Sequence, residues 1–357
     1  MTQTCAIFLE AYRSLNSKKL FWITLVLSGL VALCFAAVGL NEHGLKILFW
    51  QFDNEIINSK QIPVDQFYKG LFLQIGIGTW LSWIASILAL ISTAGIFPDL
   101  MTAGSIDLFV SKPIGRLRLF FTEYLAGLLF AALQVTIFTV ACFLVMGLRG
   151  GVWEPGLFLA VPIVVCFFSY LFSVCVFLGV ATRSTIAALL LTLLFWFGIW
   201  AVGTAERTLL FFKTMQHHGA SVAAVQAEQN RPMPKSRGVV DRSKPSPRAD
   251  RPPAAEKEAS KEENESAALN VAYNIFYGIK TALPKTTDTI ELLERSLMKA
   301  AKLPQSSHPE EKRMTAAQQE IIDVLRGRSI AWVLGTSLGF EAVVLCFAAL
   351  VFCRRDY

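Results

Sequence analysis

"SIAWVLGTSLGFEAVVLCFAALVF", residues 329–352, holds a single charged side chain, Glu341. The run exceeds the roughly 20 apolar residues that a helix needs to cross a bilayer core about 30 Å thick. Hydrocarbon offers a backbone no hydrogen-bond partner but itself, so a segment buried there must be helical. The stretch reads as a transmembrane helix.

It has company. Runs at about 20–40, 71–97, 120–146, 157–180 and 185–204 meet or approach the same length. The 357-residue chain is 54% apolar and only 17% charged, where a soluble protein carries roughly a quarter charged residues. The charges crowd between the runs. The expected fold class is therefore all-α: a polytopic integral membrane protein with six transmembrane helices. The first run begins at Leu20 and is about twice the length of a signal-peptide core. It also lacks a small-residue cleavage site and reads as an uncleaved span. The formal charge of +6 requires no nucleic acid, because membrane proteins collect Lys and Arg in their cytoplasmic segments. Lipid is the expected environment.

Orientation follows from the short flanks. Arg13, Lys18 and Lys19, then Lys112, Arg116 and Arg118, then Arg183, then Arg354 and Arg355 fall on one side. The other side's short loops hold only Lys46, Lys60, Lys69 and Arg149. The richer side is expected to be cytoplasmic. Both termini then lie inside, as six spans require, and the expected location is the cell's inner, cytoplasmic membrane.

Three regions result. Residues 1–204 hold an amphipathic N-terminal helix and spans one to five, with an inner loop at 98–119. Residues 205–329 form an extracytoplasmic loop. Residues 330–357 are span six and a cytoplasmic C-terminus. Within the outer loop, 230–266 is rich in Pro and charge and too poor in large apolar residues to offset its ordering entropy, so disorder is expected. The remainder, 267–329, shows short amphipathic helices: "ALNVAYNIFYGIKTAL" at interfacial spacing, "TDTIELLERSLMKAAKLP" with Asp288 as cap, and "TAAQQEIIDVLRGRS" with a Thr315–Gln318 capping box. No strand-rich domain is expected.

Chemistry-bearing motifs are few. The seven cysteines lie mostly inside apolar runs and read as small packing residues. Metal spacing is absent, and adjacent His217 and His218 alone make a weak ligand set. With no G-x-x-x-x-G-K-[ST] phosphate loop, no H-E-x-x-H and no G-x-S-x-G, the chain is not expected to be an enzyme by itself. Two intramembrane features remain. Glu341 at mid-span costs about 2.5–3.5 kcal/mol to insert and is a functional residue by default, weighed against a hydrogen-bonded carboxyl paired with Ser337 one turn back. Ala331, Gly335 and Gly339 form a small-residue stripe that permits a close helix crossing on a different face.

The inner loop, "FPDLMTAGSIDLFVSKPIGRLRLFF" (Phe97–Phe121), is organised and polar between two spans. Its residues Asp99, Gly104, Ser105, Ile106, Asp107, Ser111, Lys112, Pro113, Ile114 and Arg116 fit the pattern acid-x-x-x-x-G-[ST]-[IL]-[DE]-x-x-x-[ST]-[KR]-P-[IV]-x-R. In this it resembles the permease subunits of ABC-2-type ABC transporters, as do the six-span layout and the "LEAYRS" helix. The likeness covers roughly 1–204 and 330–357. It implies a transmembrane permease, an exporter by family habit, with no cofactor of its own. ATP would be bound by a separate cytoplasmic ABC ATPase subunit. A second permease chain would complete the pathway as a homodimer or heterodimer. Under the same resemblance Asp99, Gly104, Ser105, Ile106, Asp107, Lys112, Pro113 and Arg116 form the coupling element. The alternative is a membrane anchor or assembly protein that binds a partner through its extracytoplasmic cap.

Overall fold

The structure is a computed structural model that describes residues 19–41, 44–47, 50–53, 63–101, 115–151, 153–229, 253–300 and 327–354. The chain divides into two compact units. The larger comprises Met1–Trp200, Leu283–Ser306 and Ile330–Tyr357, and the smaller Ala201–Ala282 and Ser307–Ser329.

The membrane reading holds at the level of fold class. Among the described residues, five helices are long and apolar enough to cross a membrane: Gln66–Leu100, Arg116–Gly150, Pro155–Thr182, Thr185–Gln216 and Ile330–Arg354. The first expected span is shorter. Helix α1 (Lys19–Ala37) stops three residues before Leu40, because the chain there turns into an antiparallel ribbon. Strands β1 (Val38–Asn41), β2 (Gly44–Ile47) and β3 (Trp50–Asp53) pair in the order β1-β2-β3, with Leu40 opposite Leu45 and Lys46 opposite Gln51. The alternation is only four residues long in each strand, too brief to stand out in a chain this apolar.

The second run is not a uniform helix. It begins as α2 (Val64–Leu71) and widens into a π-helix over Phe72–Ala85. It then resumes as α3 (Ser86–Thr93) and ends in the short α4 (Ile96–Leu100). The Ser82 and Ser86 hydroxyls donate to carbonyls five residues back, Ile77 and Leu81, each at 2.7 Å. Gly76, Gly78, Thr79 and Ser82 are poor helix formers, and small side chains here leave room for the wider turn.

Helices α5 (Arg116–Gly150), α6 (Ala160–Thr182), α7 (Thr185–Gln229) and α10 (Ile330–Arg354) supply the other spans. Their burial sorts them. The apolar windows of Gln66–Leu100 and of the span through α6 are each 72% buried, against 22% for α7 and 28% for α10. The π-containing helix and α6 are thus interior, and the others turn a face to lipid. On α7, Ile186, Leu190, Leu194 and Phe197 are all at least 60% exposed at helical spacing, as a lipid-facing stripe should be.

Helix α6 is the centre. Phe167, Phe168, Tyr170, Leu171 and Phe172 are buried in succession, which requires neighbours on every side. These are α5, α10, the π segment and a further helix, α9 (Thr286–Ala300). The last is a departure from a purely outer loop, because α9 packs on α6 with Leu292, Leu293 and Leu297 buried. It starts at Thr286, so Asp288 lies in its first turn and favours the helix through the N-terminal dipole rather than as the cap.

Close packing at the centre is visible at Gly127 of α5. A Cβ there would lie 2.5 Å from the ring of Phe172, which itself stacks on Tyr124 at 5.3 Å. Gly127→Ala should therefore cost about 1–3 kcal/mol by overpacking. Thermal unfolding of the full chain in detergent measures it, and an unchanged midpoint would mean the ring turns aside freely.

In the smaller unit α7 continues to Gln229, and α8 spans Pro253–Ala282. Of the segment expected to be disordered, residues 230–252 lie outside the described residues, whereas 253–266 are helical. Their Ala, Glu and Lys are strong helix formers with Pro253 at the first position, a propensity that the shortage of apolar residues obscured. The N-terminal amphipathic helix and the Thr315–Gln318 capping box also lie outside the described residues.

Candidate functional site

Glu341 lies near the midpoint of α10, roughly 17 Å along the axis from Ile330 at 1.5 Å per residue. It is 8% exposed. Its partners come from two other helices: the Tyr124 hydroxyl of α5 donates to Oε1 at 2.6 Å, and the Ser169 hydroxyl of α6 donates to Oε2 at 2.7 Å. Each oxygen thus has a donor, which is what a buried carboxylate requires to remain in a low-dielectric setting. The arrangement clips three spans together at one point. Chemically it is a carboxyl group held by two hydroxyls at the middle of an apolar span.

The partner expected from spacing, Ser337, is engaged elsewhere. Its hydroxyl donates to Val333 O at 2.8 Å and accepts from the backbone N–H of Lys285 at 2.9 Å. Lys285 is only 2% exposed; its ammonium meets Thr336 and lies 4.2 Å from the Trp332 ring centroid. A polar seam therefore runs along α10 from Glu341 to the loop that precedes α9. The Tyr170 hydroxyl is buried beside this seam near Thr289 and Ser337, without a hydrogen bond of full geometry among the described residues.

The opposite face of α10 is bare. Ala331, Gly335 and Gly339 are exposed, and no atom lies within 4 Å of a Cβ built on either glycine. Among the described residues the small-residue stripe crosses no other helix.

Of the inner loop, Gly104, Ser105, Ile106, Asp107, Lys112 and Pro113 lie outside the described residues. Its two ends are described. Asp99 is exposed on α4, and Arg116 is exposed at the start of α5. Phe97 sits 5.0 Å from Phe120 and 6.3 Å from Phe352, and Phe120 lies 5.7 Å from Phe352. Arg116 donates to Cys353 O at 3.1 Å, satisfying a carbonyl in the last turn of α10. The loop's entry and exit are thus tied to the same end of α10. At that end Arg183, in left-handed backbone (φ 54°), joins α6 to α7 beside Pro98, which contacts Gly179.

Among the described residues no three His, Cys, Asp or Glu side chains converge as a metal site. Tyr124, Ser169 and Lys285 were missed in the sequence. Each is a polar residue inside or beside an apolar run, and that was the only signal they offered.

These features define a membrane-embedded helical bundle built around a buried carboxylate, with a polar loop clamped to one end. Comparison with protein-family models, with curated proteins and with solved structures returned no match.

Proposed function

We propose that the chain is the transmembrane permease subunit of an ABC-type exporter, driven by a separate cytoplasmic ATPase through the 98–119 loop. The observation that carries this reading is the clamp of Phe97, Phe120 and Phe352 with the Arg116–Cys353 hydrogen bond. A loop fastened at both ends to the spans moves with them, so a push on Ser105–Asp107 reaches α4, α5 and α10 together. A loop that merely joined two spans would need no such fastening. In this reading the loop and both termini face the cytoplasm, and Lys112, Pro113 and Arg116 seat the loop at the membrane surface. The bare Ala331–Gly335–Gly339 face suits a second permease copy, identical or paired.

Changing Ser105, Ile106 and Asp107 together to alanine is the test. Co-expressed with the partner P-loop ATPase that this proposal requires, sought first among the neighbouring genes, the variant should lose at least tenfold in co-purified ATPase and in permease-stimulated ATP hydrolysis. Unchanged association and turnover would overturn the coupling role. The anchor reading draws support from the smaller unit, which is compact by itself and holds a buried ion cluster at Glu206. It requires no ATPase, so the same co-purification separates the two.

A further inference from the structure

A cavity of about 280 Å³ lies in the larger unit where the π segment, α6, α7 and α9 meet. Its size is near the lower end of ligand pockets, about 300–1,000 Å³. Phe167 and Trp196 form the floor, 2% and 5% exposed. Trp83 and Trp200 stand at the mouth, each 39% exposed. Trp83 stacks on Trp196 at 4.9 Å, and Phe167 meets Trp196 edge-on at 5.9 Å. Tryptophans at a membrane surface commonly form a belt that faces the headgroups. Trp196 and Phe167 are buried and cannot belong to one, so the aromatic wall faces the cavity.

The remaining wall is acidic. Glu291 and Glu294 of α9 line the cavity, and among the described residues no basic side chain does. Glu291 pairs with Arg295 on its own helix at 3.6 Å. Glu294 has no hydrogen bond or ion pair within 4 Å among the described residues. Its Oε1 lies 3.9 Å from where a Cβ on Gly78 would stand, so the carboxylate reaches into the gap left by the glycine on the π segment. Burial first, and the neighbouring Glu291 second, hold Glu294 above the ordinary carboxylate range, with Arg295 pulling the other way. The wide turn carrying Gly78, Ser82 and Trp83 is a rare geometry that is frequent at functional sites.

We infer that this cavity binds an organic monocation, a quaternary or protonated ammonium with an apolar substituent. Aromatic faces attract such a group through their quadrupole while an unpaired carboxylate supplies the countercharge, and neither favours an anion. The two carboxylates alone would also attract a metal ion, but the three indoles and the phenyl ring opposite them cannot replace its hydration shell, whereas they match an organic cation. Read as a cargo site, the cavity depends on the permease assignment; binding by itself does not.

The stability sign supports a binding role. A carboxyl whose folded-state value is raised contributes most to stability when protonated, below its unfolded-state value. That contribution is lost as pH rises through the folded-state value. At neutral pH Glu294 therefore lowers stability, a cost that a bound cation offsets. The charged groups facing it are Glu291 and Arg295 of α9; the π segment, α6 and α7 present none to the cavity.

Isothermal titration of the purified full chain in detergent with benzyltrimethylammonium tests the inference, with benzenesulfonate as the anion of similar size. Saturable binding of the cation at least tenfold tighter than the anion is expected. Glu294→Gln should weaken it at least tenfold while raising the unfolding midpoint at pH 7. Trp200→Leu should weaken it similarly, and Trp200→Phe should restore it to within about threefold. Acidification should weaken binding in the native chain and leave the remaining affinity of Glu294→Gln much less affected. Absent or equal binding of cation and anion by the native chain overturns the site, as does unchanged affinity in Glu294→Gln. No ATPase enters these measurements, so their failure would leave the coupling test untouched.

Discussion

Glu206→Ala is expected to destabilise the smaller unit by about 3–5 kcal/mol. Glu206 is fully buried at 0% exposure and joins two cations, Lys280 Nζ at 3.1 Å and the Arg328 guanidinium. The cations come from α8 and from the segment just before α10, with side chains 8% and 10% exposed. Removing the carboxylate leaves two largely desolvated positive charges close together without the Glu206 carboxylate between them. Breaking a buried pair from one side costs more than the pair contributes, because the orphaned charge stays behind. Glu206→Leu combined with Lys280→Met and Arg328→Met, which removes all three charges of the cluster together, should therefore be milder than Glu206→Ala alone, even though it changes more atoms. Thermal unfolding and limited proteolysis of the 205–329 segment, both on the full chain, report the effect. A loss below about 1 kcal/mol would show that water reaches the cluster and screens it.

The second large effect is at Glu341. Replacing it with leucine should cost about 2–4 kcal/mol, since a charged hydrogen bond is worth roughly 1.5–3 kcal/mol and a buried hydroxyl left without an acceptor costs about 1–3 kcal/mol. The two hydroxyls fare differently. Ser169 can turn its proton to the Cys166 carbonyl at 2.8 Å, whereas Tyr124 can reach only Ser169 O, at a long 3.4 Å. Most of the loss should therefore pass through Tyr124. The double variant Tyr124→Phe, Glu341→Leu should recover part of it, with a coupling energy of about 1–3 kcal/mol. Additive losses would mean that the 2.6 Å hydrogen bond contributes nothing specific. Glu341→Gln separates stability from transport: it keeps the shape and an acceptor but removes the charge. Transport with its pH dependence intact in that variant would assign Glu341 to architecture alone.

Much of the bundle was legible from composition. The apolar runs at 120–146, 157–180, 185–204 and 330–352 each fall within a helix long enough to span. The run at 20–40 misled by three residues, because Val38, Gly39 and Leu40 suit a strand as well as a helix end. At 230–266, polarity was a poor guide to local order wherever Ala, Glu and Lys dominated. The π-helix left no readable mark, since its Gly76, Gly78, Thr79 and Ser82 are interleaved with large apolar residues and read as part of an ordinary apolar span.

The candidate sites divide the same way. Glu341 stood out because one acid in an apolar run is costly wherever the run packs. Its partners did not, and the nearest hydroxyl by helical spacing, Ser337, was the wrong one. The cavity was less visible still: Trp83, Phe167, Trp196 and Glu294 lie on four different elements.

What the sequence determined by itself is which segments leave water. Bilayer solvation acts on each run separately, so length and apolarity suffice. What only the tertiary structure decided is which polar groups meet: Glu341 with Tyr124 and Ser169, Lys285 with Thr336, Glu294 with the gap at Gly78. Those meetings depend on how each helix is rotated and shifted against its neighbours. Several rotations bury similar apolar area, and the few that also pair the buried polar groups are selected by packing across the whole bundle.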